Sequence, residues 1–195
     1  MKTLFVATSN PHKLQEIQQI LELLDLHHRF RLEPRDPQVD ETGVTFLENA
    51  WIKAWRVFQE TGRPVIAEDT GLVVDALDGA PGLFSARFAG TPPDHRMNLE
   101  KLLNLLKHRG EEARRARFVC YAVYMDDKQR LWARGEVQGL IAPEPRGNRG
   151  FGYDPVFLYP PLGRTFGELP PALKNRRSHR FRALRSLFQK LGVVG

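Results

Sequence analysis

The chain carries one cysteine in 195 residues. A lone Cys120 excludes an internal disulfide and any multi-cysteine zinc site. It lies in the apolar run Phe118-Val119-Cys120-Tyr121-Ala122-Val123, where it reads as a small buried hydrophobe; a reducing compartment follows only weakly. Long hydrophobic runs are missing too, and nothing approaches the ~18 residues of a membrane span. The opening MKTLFVATSN is too short in apolar residues for the core of a signal peptide. These absences lead us to expect a cytoplasmic protein with no membrane partner. Also missing are the GxxxxGK[ST] phosphate loop, the forward GxGxxG fingerprint, a GxSxG elbow and an HExxH pair. No constellation suits covalent catalysis. The six histidines show no metal-ligand spacing, and His27-His28 read as surface residues.

What is present is the balance of a globular protein: 42% hydrophobic and 27% charged residues, with a formal net charge of +6. A chain of this length forms one domain, or one domain with two lobes, and can bury roughly 70% of its unfolded surface without staples. The positive charge raises the possibility of a nucleic-acid partner. We expect none, because the excess sits near Arg114-Arg115-Ala116-Arg117 and between Lys174 and Arg185, with no long basic tract. A pocket for a small polyanion needs the same cations.

Periodicity and punctuation give an outline. Thr3 to Thr8 reads as a buried strand, broken by Ser9-Asn10-Pro11. His12 to Leu24 has Leu14, Ile17, Leu21 and Leu24 at helical spacing. Phe30 to Leu32 suits a short strand, and Pro34, Pro37 and Gly43 mark a loop. Thr45 to Glu60 reads as a helix with Leu47, Trp51, Ala54, Trp55 and Phe58 on one face, ended by Gly62-Arg63-Pro64. A strand over Val65 to Glu68 follows, then an acidic, glycine-rich segment. Asp94 to His108 reads as a helix. Ala116 to Met125 and Leu131 to Ile141 form a hairpin through Asp126-Asp127-Lys128-Gln129. Pro155 to Leu158 suits a strand, and Ser178 caps a last helix with Phe181, Leu184, Leu187, Phe188 and Leu191 on its face. Isolated strands, a hairpin and helices in this order predict an α/β domain on a mixed sheet.

Four segments carry candidate chemistry. In the first, AEDTGLVVDALDGAPGLFSARFAG, an apolar strand runs out into Glu68 and Asp69. That predicts partly solvated carboxylates at a sheet edge, suited to a divalent cation; a solvated turn is the plain alternative. Glycines and Ser85-Ala86-Arg87 nearby suit a metal-bound phosphate ester. In the second, Thr8-Ser9-Asn10-Pro11-His12-Lys13, backbone N–H groups, a helix N-terminus and a lysine surround one point, which suits a phosphate. A capped helix with a surface lysine fits the pattern equally well. The third, Asp40-Glu41-Thr42-Gly43 with Glu48-Asn49, says little alone: the acids suit a helix start, and Glu48 could equally point at solvent. With Glu68 and Asp69 it offers hard oxygen ligands enough for Mg²⁺. The fourth joins Gly150-Phe151-Gly152-Tyr153-Asp154-Pro155 with Lys174 and Ser178-His179-Arg180. Glycines flanking an aromatic allow close approach to a planar ligand, and a helix start supplies donors to an anion. A tight loop with a core Phe and a basic surface helix are the alternatives. For Arg176, Arg177, Arg182 and Arg185 we take the surface reading.

In this order, ATSNPHKLQEI, ETGVTFLENA, AEDTGLVVDALDGAPGLFSARFAG, GFGYDPVF and SHRFRAL resemble the inosine triphosphate pyrophosphatase family, the house-cleaning enzymes for non-canonical purine nucleotides. The segments span nearly the whole chain. Departures are mild: Glu68-Asp69-Thr70-Gly71 where several relatives have Asp-Asp-Ser-Gly, His12 where many have glycine, and Trp51 and Trp55 where smaller residues are common. The resemblance implies a single pyrophosphatase domain over residues 1–195, with an elongated mixed central β-sheet flanked by helices and two lobes with an active-site cleft between them. It implies Mg²⁺-dependent hydrolysis of ITP, dITP and XTP to the monophosphate and pyrophosphate, by a homodimer. Carried over residue by residue, it makes Asp69 the catalytic base and Glu41 and Asp69 the metal ligands, with Glu68 in reserve. Lys13 and the loop of Thr8, Ser9 and Asn10 would hold the phosphates, with Pro11, His12 and Thr70 also among the substrate-binding residues. Phe151, Gly152, Tyr153, Asp154, Lys174, His179 and Arg180 would hold the base. Two other readings stay open: a Maf-type pyrophosphatase acting on pyrimidine or modified triphosphates, and a basic nucleic-acid-binding protein without enzymatic activity.

Overall fold

A computed structural model describes residues 1–195. Seven strands form one mixed sheet in the order β2-β1-β3-β4-β5-β6-β7. They are β1 (Lys2–Ala7), β2 (Phe30–Arg35), β3 (Val65–Val74), β4 (Arg115–Met125), β5 (Arg130–Ile141), β6 (Phe157–Tyr159) and β7 (Arg164–Thr165). The helices are α1 (Pro11–Leu23), α2 (Phe46–Thr61), α3 (His95–Leu106), α4 (Pro171–Arg177) and α5 (His179–Lys190). Strand β1 pairs in parallel with β2 and β3, whereas β6 is antiparallel to β5 and to β7. The expected α/β class, with a mixed sheet flanked by helices, is observed. No helix is long and apolar enough to cross a membrane.

The chain divides into two compact units. Unit 1 comprises Met1–Asp69, Cys120–Glu136 and Asn175–Gly195; unit 2 comprises Thr70–Val119 and Val137–Lys174. Strands β3, β4 and β5 each contribute residues to both.

Unit 1 is a sheet covered on both faces, and strand alternation shows how. In β1, Leu4 and Val6 join a core with Ile17 and Ile20 of α1 and Leu184 and Leu187 of α5. Phe5 and Ala7, one residue out of phase, pack with Ala50, Ala54 and Val57 of α2. In β3, Ile66 belongs to the first core and Val65 and Ala67 to the second. Period-two side-chain alternation enforces this split. It directs Glu68 towards α1 and α5, and Asp69 towards α2.

Local chemistry fixes the helix starts. Asn10 caps α1, its Oδ1 accepting from His12 N at 2.9 Å and Lys13 N at 3.3 Å. Thr45 and Glu48 form a reciprocal capping box on α2. Ser178 Oγ accepts from Phe181 N at 3.1 Å, as its predicted capping role requires. Helix α5 lies so close to β5 that a Cβ at Gly135 would overlap His179 O and Ala183 N.

Unit 2 has its own core, centred on Leu72, Val74, Leu102, Phe118, Phe157 and Phe166. Asn98 organises the segment before α3. Its amide donates to Ala86 O at 2.8 Å, and its Oδ1 accepts from Ala89 N at 2.7 Å.

Two sequence expectations are corrected. Pro34 lies within β2 rather than in a loop, which an edge strand tolerates because its missing N–H is not needed for pairing. Strand β3 does not end at Glu68; it continues to Val74 in the middle of the sheet. Glu68 and Asp69 are therefore not partly solvated at a sheet edge. They are 5% and 6% exposed, and the cations described below make that burial tolerable.

Candidate active site

On the α2 face of β3, Asp69 Oδ1 accepts from Lys53 Nζ at 3.1 Å, and its Oδ2 accepts from Asn49 Nδ2 at 3.4 Å. Lys53 Nζ also donates to Glu41 Oε1 at 2.8 Å. Asn49 Oδ1 accepts from Gly43 N at 2.8 Å, which ties the loop carrying Glu41 to α2. Burial pushes the Asp69 carboxyl above its usual range, against the pull of Lys53 and Lys13. Burial alone would lower the Lys53 ammonium, but Asp69 and Glu41 outweigh it and raise it. The asymmetry is physical, because Lys53 faces two carboxylates while Asp69 shares its lysine with Glu41. Asp69 is thus a desolvated carboxylate of enhanced basicity beside a fixed cation, the arrangement a general base requires.

The opposite face of β3 carries a second network. Glu68 Oε1 lies 3.0 Å from Lys13 Nζ and accepts from Arg180 Nη2 at 3.2 Å. Its Oε2 accepts from Arg180 Nε at 3.0 Å and from Cys120 Sγ at 3.1 Å. Arg180 Nη1 donates to Glu16 Oε2. Arg180 is fully buried, and Glu68 and Glu16 hold its pKa above the ordinary arginine value despite the desolvation. All three guanidinium nitrogens are thus engaged by carboxylates of unit 1.

In unit 2, Asp154 Oδ2 accepts from Phe151 N at 2.9 Å and from Lys174 Nζ. The Lys174 ammonium lies 5.2 Å from the Phe151 ring centroid and 5.9 Å from that of Phe166. His95 approaches the same Phe151 ring, with centroids 6.4 Å apart. Gly150 has φ +74°, and a Cβ there would overlap the Asp154 carboxylate, so the loop needs glycine on both counts. Tyr153 is buried, which raises its phenol pKa, and its hydroxyl donates to Ser85 O at 2.7 Å.

The structure gathers Lys13, Glu41, Asp69 and Arg180 within unit 1, and Phe151, Gly152, Tyr153, Asp154 and Lys174 within unit 2. Thr8 Oγ1 accepts from Asn10 N at 3.1 Å, while Ser9, Pro11 and His12 are exposed at the start of α1. Thr70 is half-buried in β3 and His179 is buried in the first turn of α5. Glu48 neither points freely at solvent nor joins the acids; its Oε2 accepts from Val44 N and Thr45 N. Arg87 stacks its guanidinium 5.3 Å from the Phe84 ring centroid.

Sequence reasoning singled out the Glu48-Asn49 segment without giving Asn49 a role, and it missed the parts played by Lys53, Glu16 and Cys120. Lys53 had a signal. It falls at helical spacing among Ala50, Ala54 and Val57, and a lysine on an otherwise apolar face needs an anion opposite it. Cys120 had none, since its apolar neighbours hide that its thiol meets a carboxylate.

Residues 4–190 match the model of the Ham1 family. A dITP/XTP pyrophosphatase of Xanthomonas oryzae pv. oryzae is 48% identical over 197 residues, covering 100% of this chain and 99% of that protein. A HAM1 protein from Coxiella burnetii superimposes with a TM-score of 0.85 at 39% identity, covering 98% of this chain and 99% of that one. The Staphylococcus aureus Ham1 protein does so with a TM-score of 0.84 at 36% identity, covering 98% of each chain. With a full-length relative at this identity and a family match over nearly every residue, the chain belongs to the Ham1 family.

Proposed function

We propose that this chain hydrolyses non-canonical purine nucleoside triphosphates, ITP, dITP and XTP, to the monophosphate and pyrophosphate in an Mg²⁺-dependent reaction. The observation that carries the proposal is Asp69, buried and basic, flanked by Lys53 and a second carboxylate, Glu41. The similarity over the full length to a dITP/XTP pyrophosphatase supports the substrate class.

The residues present fit a hard divalent cation. Glu41 and Asp69 already converge on one positive group, the Lys53 ammonium, at 2.8 and 3.1 Å, and both offer the oxygen donors that Mg²⁺ prefers. Glu41 and Asp69 would hold it, and its chemistry would be to neutralise phosphate charge and polarise the phosphoryl oxygens. Asp69 orients a water molecule and takes its proton. The water oxygen bonds to phosphorus, the α–β anhydride breaks, and pyrophosphate departs. Lys13 and Lys53 supply fixed positive charge to the developing anion.

Phe151 offers a stacking face for the base, and Lys174, whose ammonium lies 5.2 Å from that ring, supplies a donor beside it. Donors aimed at a 6-oxo group reject adenine, whose amino group leaves them unpaired. Following the resemblance, the enzyme acts as a homodimer in the cytoplasm, which size-exclusion chromatography tests for the oligomer. The decisive experiment is pyrophosphate release from a panel of ITP, dITP, XTP, ATP, GTP and pyrimidine triphosphates, with and without Mg²⁺. Turnover that strongly favours ITP, dITP and XTP over the other triphosphates, and is abolished by EDTA, is expected. A pyrimidine preference, or no turnover, overturns the reading.

A further inference from the structure

Glu68 and Asp69 are neighbours in sequence, and alternation along β3 sends them to opposite faces of the sheet. Asp69 faces α2 with Asn49 and Lys53. Glu68 faces α1 and α5 and is held at both oxygens: Lys13 and Arg180 lie on Oε1, and Arg180 and Cys120 on Oε2. Its side chain is 4% exposed, whereas that of Lys13 is 18% exposed. Lys13 is therefore the member of this network that solvent, or a phosphate, can reach. Arg180 is anchored from the far side by Glu16.

We infer that Glu68 is a positioning residue that aims the Lys13 ammonium, with Arg180 as its brace, and not a metal ligand. This rests on the pyrophosphatase reading above. A long lysine side chain has many rotamers, and a fixed carboxylate beside its ammonium restricts them before the substrate arrives. Arg180 forks onto the same carboxylate through two nitrogens and fixes its plane. Glu68 thus carries the start of α5 and the first turn of α1 on one group.

Opposite signs in binding and turnover make the test sharp. Glu68→Gln removes an anion from the neighbourhood of a polyanion, so the ground-state complex gains while Lys13 loses its aim. We expect ITP binding in EDTA, measured by calorimetry, to be at least as tight as in the wild type. In Mg²⁺, kcat should fall about tenfold, the size of one charge-assisted hydrogen bond. Half-saturation by Mg²⁺ should stay within about twofold, well under the ~10–100-fold loss typical of a damaged metal site. In a Lys13→Met background the Glu68→Gln loss should vanish, because the two residues act as one. Glu68→Asp restores the charge and should recover most of the turnover; it also carries the test if the Gln variant does not fold. An increased Mg²⁺ requirement, an unchanged kcat, or additive losses with Lys13→Met would each overturn the inference. Wild-type protein that binds ITP but releases no pyrophosphate would instead overturn the pyrophosphatase reading.

Discussion

The two units bury charge differently. Unit 1 encloses Glu16, Lys53, Glu68, Asp69 and Arg180, with Lys13 and Glu41 at the margin of the same networks. Unit 2 encloses one oppositely charged pair, Asp154 with Lys174, set against the rings of Phe151 and Phe166. In unit 1, four carboxylates meet three cations, so the networks carry one more negative than positive group. In unit 2 the charges cancel, and what remains is an aromatic face with an oriented ammonium. The first arrangement suits a reaction at phosphorus, where charge must be neutralised; the second suits a planar base, where shape and donor placement decide. If this division is right, variants in unit 1 should change turnover or stability through charge, and variants in unit 2 should change affinity through stacking.

The largest effect should come from Asp69→Asn. It keeps the shape and the Asn49 contact but removes the base, so kcat should fall about 10²–10⁴-fold, the usual contribution of a general base. The melting temperature should hold, because burial disfavours the wild-type carboxylate and the buried Lys53 ammonium keeps Glu41 as its partner at 2.8 Å. Steady-state kinetics and a thermal melt check both. A folded variant of near-normal activity would remove Asp69 from the chemistry.

Next comes Arg180→Ala. It strips two buried carboxylates of their shared guanidinium, and breaking a buried pair from one side costs ~3–5 kcal/mol. Because Arg180 is enclosed by Glu16 and Glu68, its loss should lower kcat/KM for ITP and ATP by the same factor. Chemical denaturation gives the stability, and the two-substrate ratio gives the role. A narrowed ITP-to-ATP ratio in a stable variant would place Arg180 at the base.

Phe151→Ala should act in the other unit and in the other currency of affinity. Stacking is largely indifferent to which purine is stacked, so every purine triphosphate should lose ~1–3 kcal/mol of binding. The ITP-to-ATP ratio and the melting temperature should change little. A loss restricted to ITP would show that the ring does more than stack.

These contrasts also show what the sequence could disclose. Hydrophobic spacing placed α1, α2, α3 and α5 and the β4–β5 hairpin to within a few residues, because each has an apolar stripe and a cap or turn at its end. The five family segments located Lys13, Glu41, Glu68, Asp69, Asp154 and Arg180, but not Lys53, which falls outside all of them. The burial of Glu68 and Asp69 was not legible, since adjacent acids look solvated until Lys13, Lys53 and Arg180 arrive from three helices distant in sequence. Nor was their separation onto two faces, which needed β3 to continue through Thr70 and Gly71 rather than turn there. Strand β7 has only Arg164 and Thr165, too few for any period, and α4 over Pro171–Arg177 lacks a clear apolar stripe.

The smallest effect separates two aspartates of unit 1 that are pushed in opposite directions. Asp126 sits in the exposed β4–β5 turn. Burial there would raise its pKa, but the Tyr124 hydroxyl and the Lys128 and Gln129 amides outweigh it, so the carboxyl lies below its usual value. A depressed carboxyl favours the folded state while ionised. Its contribution is present above the unfolded pKa, near 4, and is lost as pH falls through the lower folded value. Asp69 has the reverse sign. Its raised carboxyl binds a proton more tightly in the folded protein, so its ionisation penalises folding at neutral pH and that penalty lifts as pH falls through the raised value. Unfolding free energies of wild type, Asp126→Asn and Asp69→Asn, measured in EDTA between about pH 3 and 7, should therefore diverge in opposite senses. The wild-type advantage over Asp126→Asn should shrink on acidification, while stability relative to Asp69→Asn should improve. Parallel curves for the two variants would mean that burial does not set Asp69 apart from an ordinary surface carboxylate, and the contrast between buried and solvated charge would lose its basis.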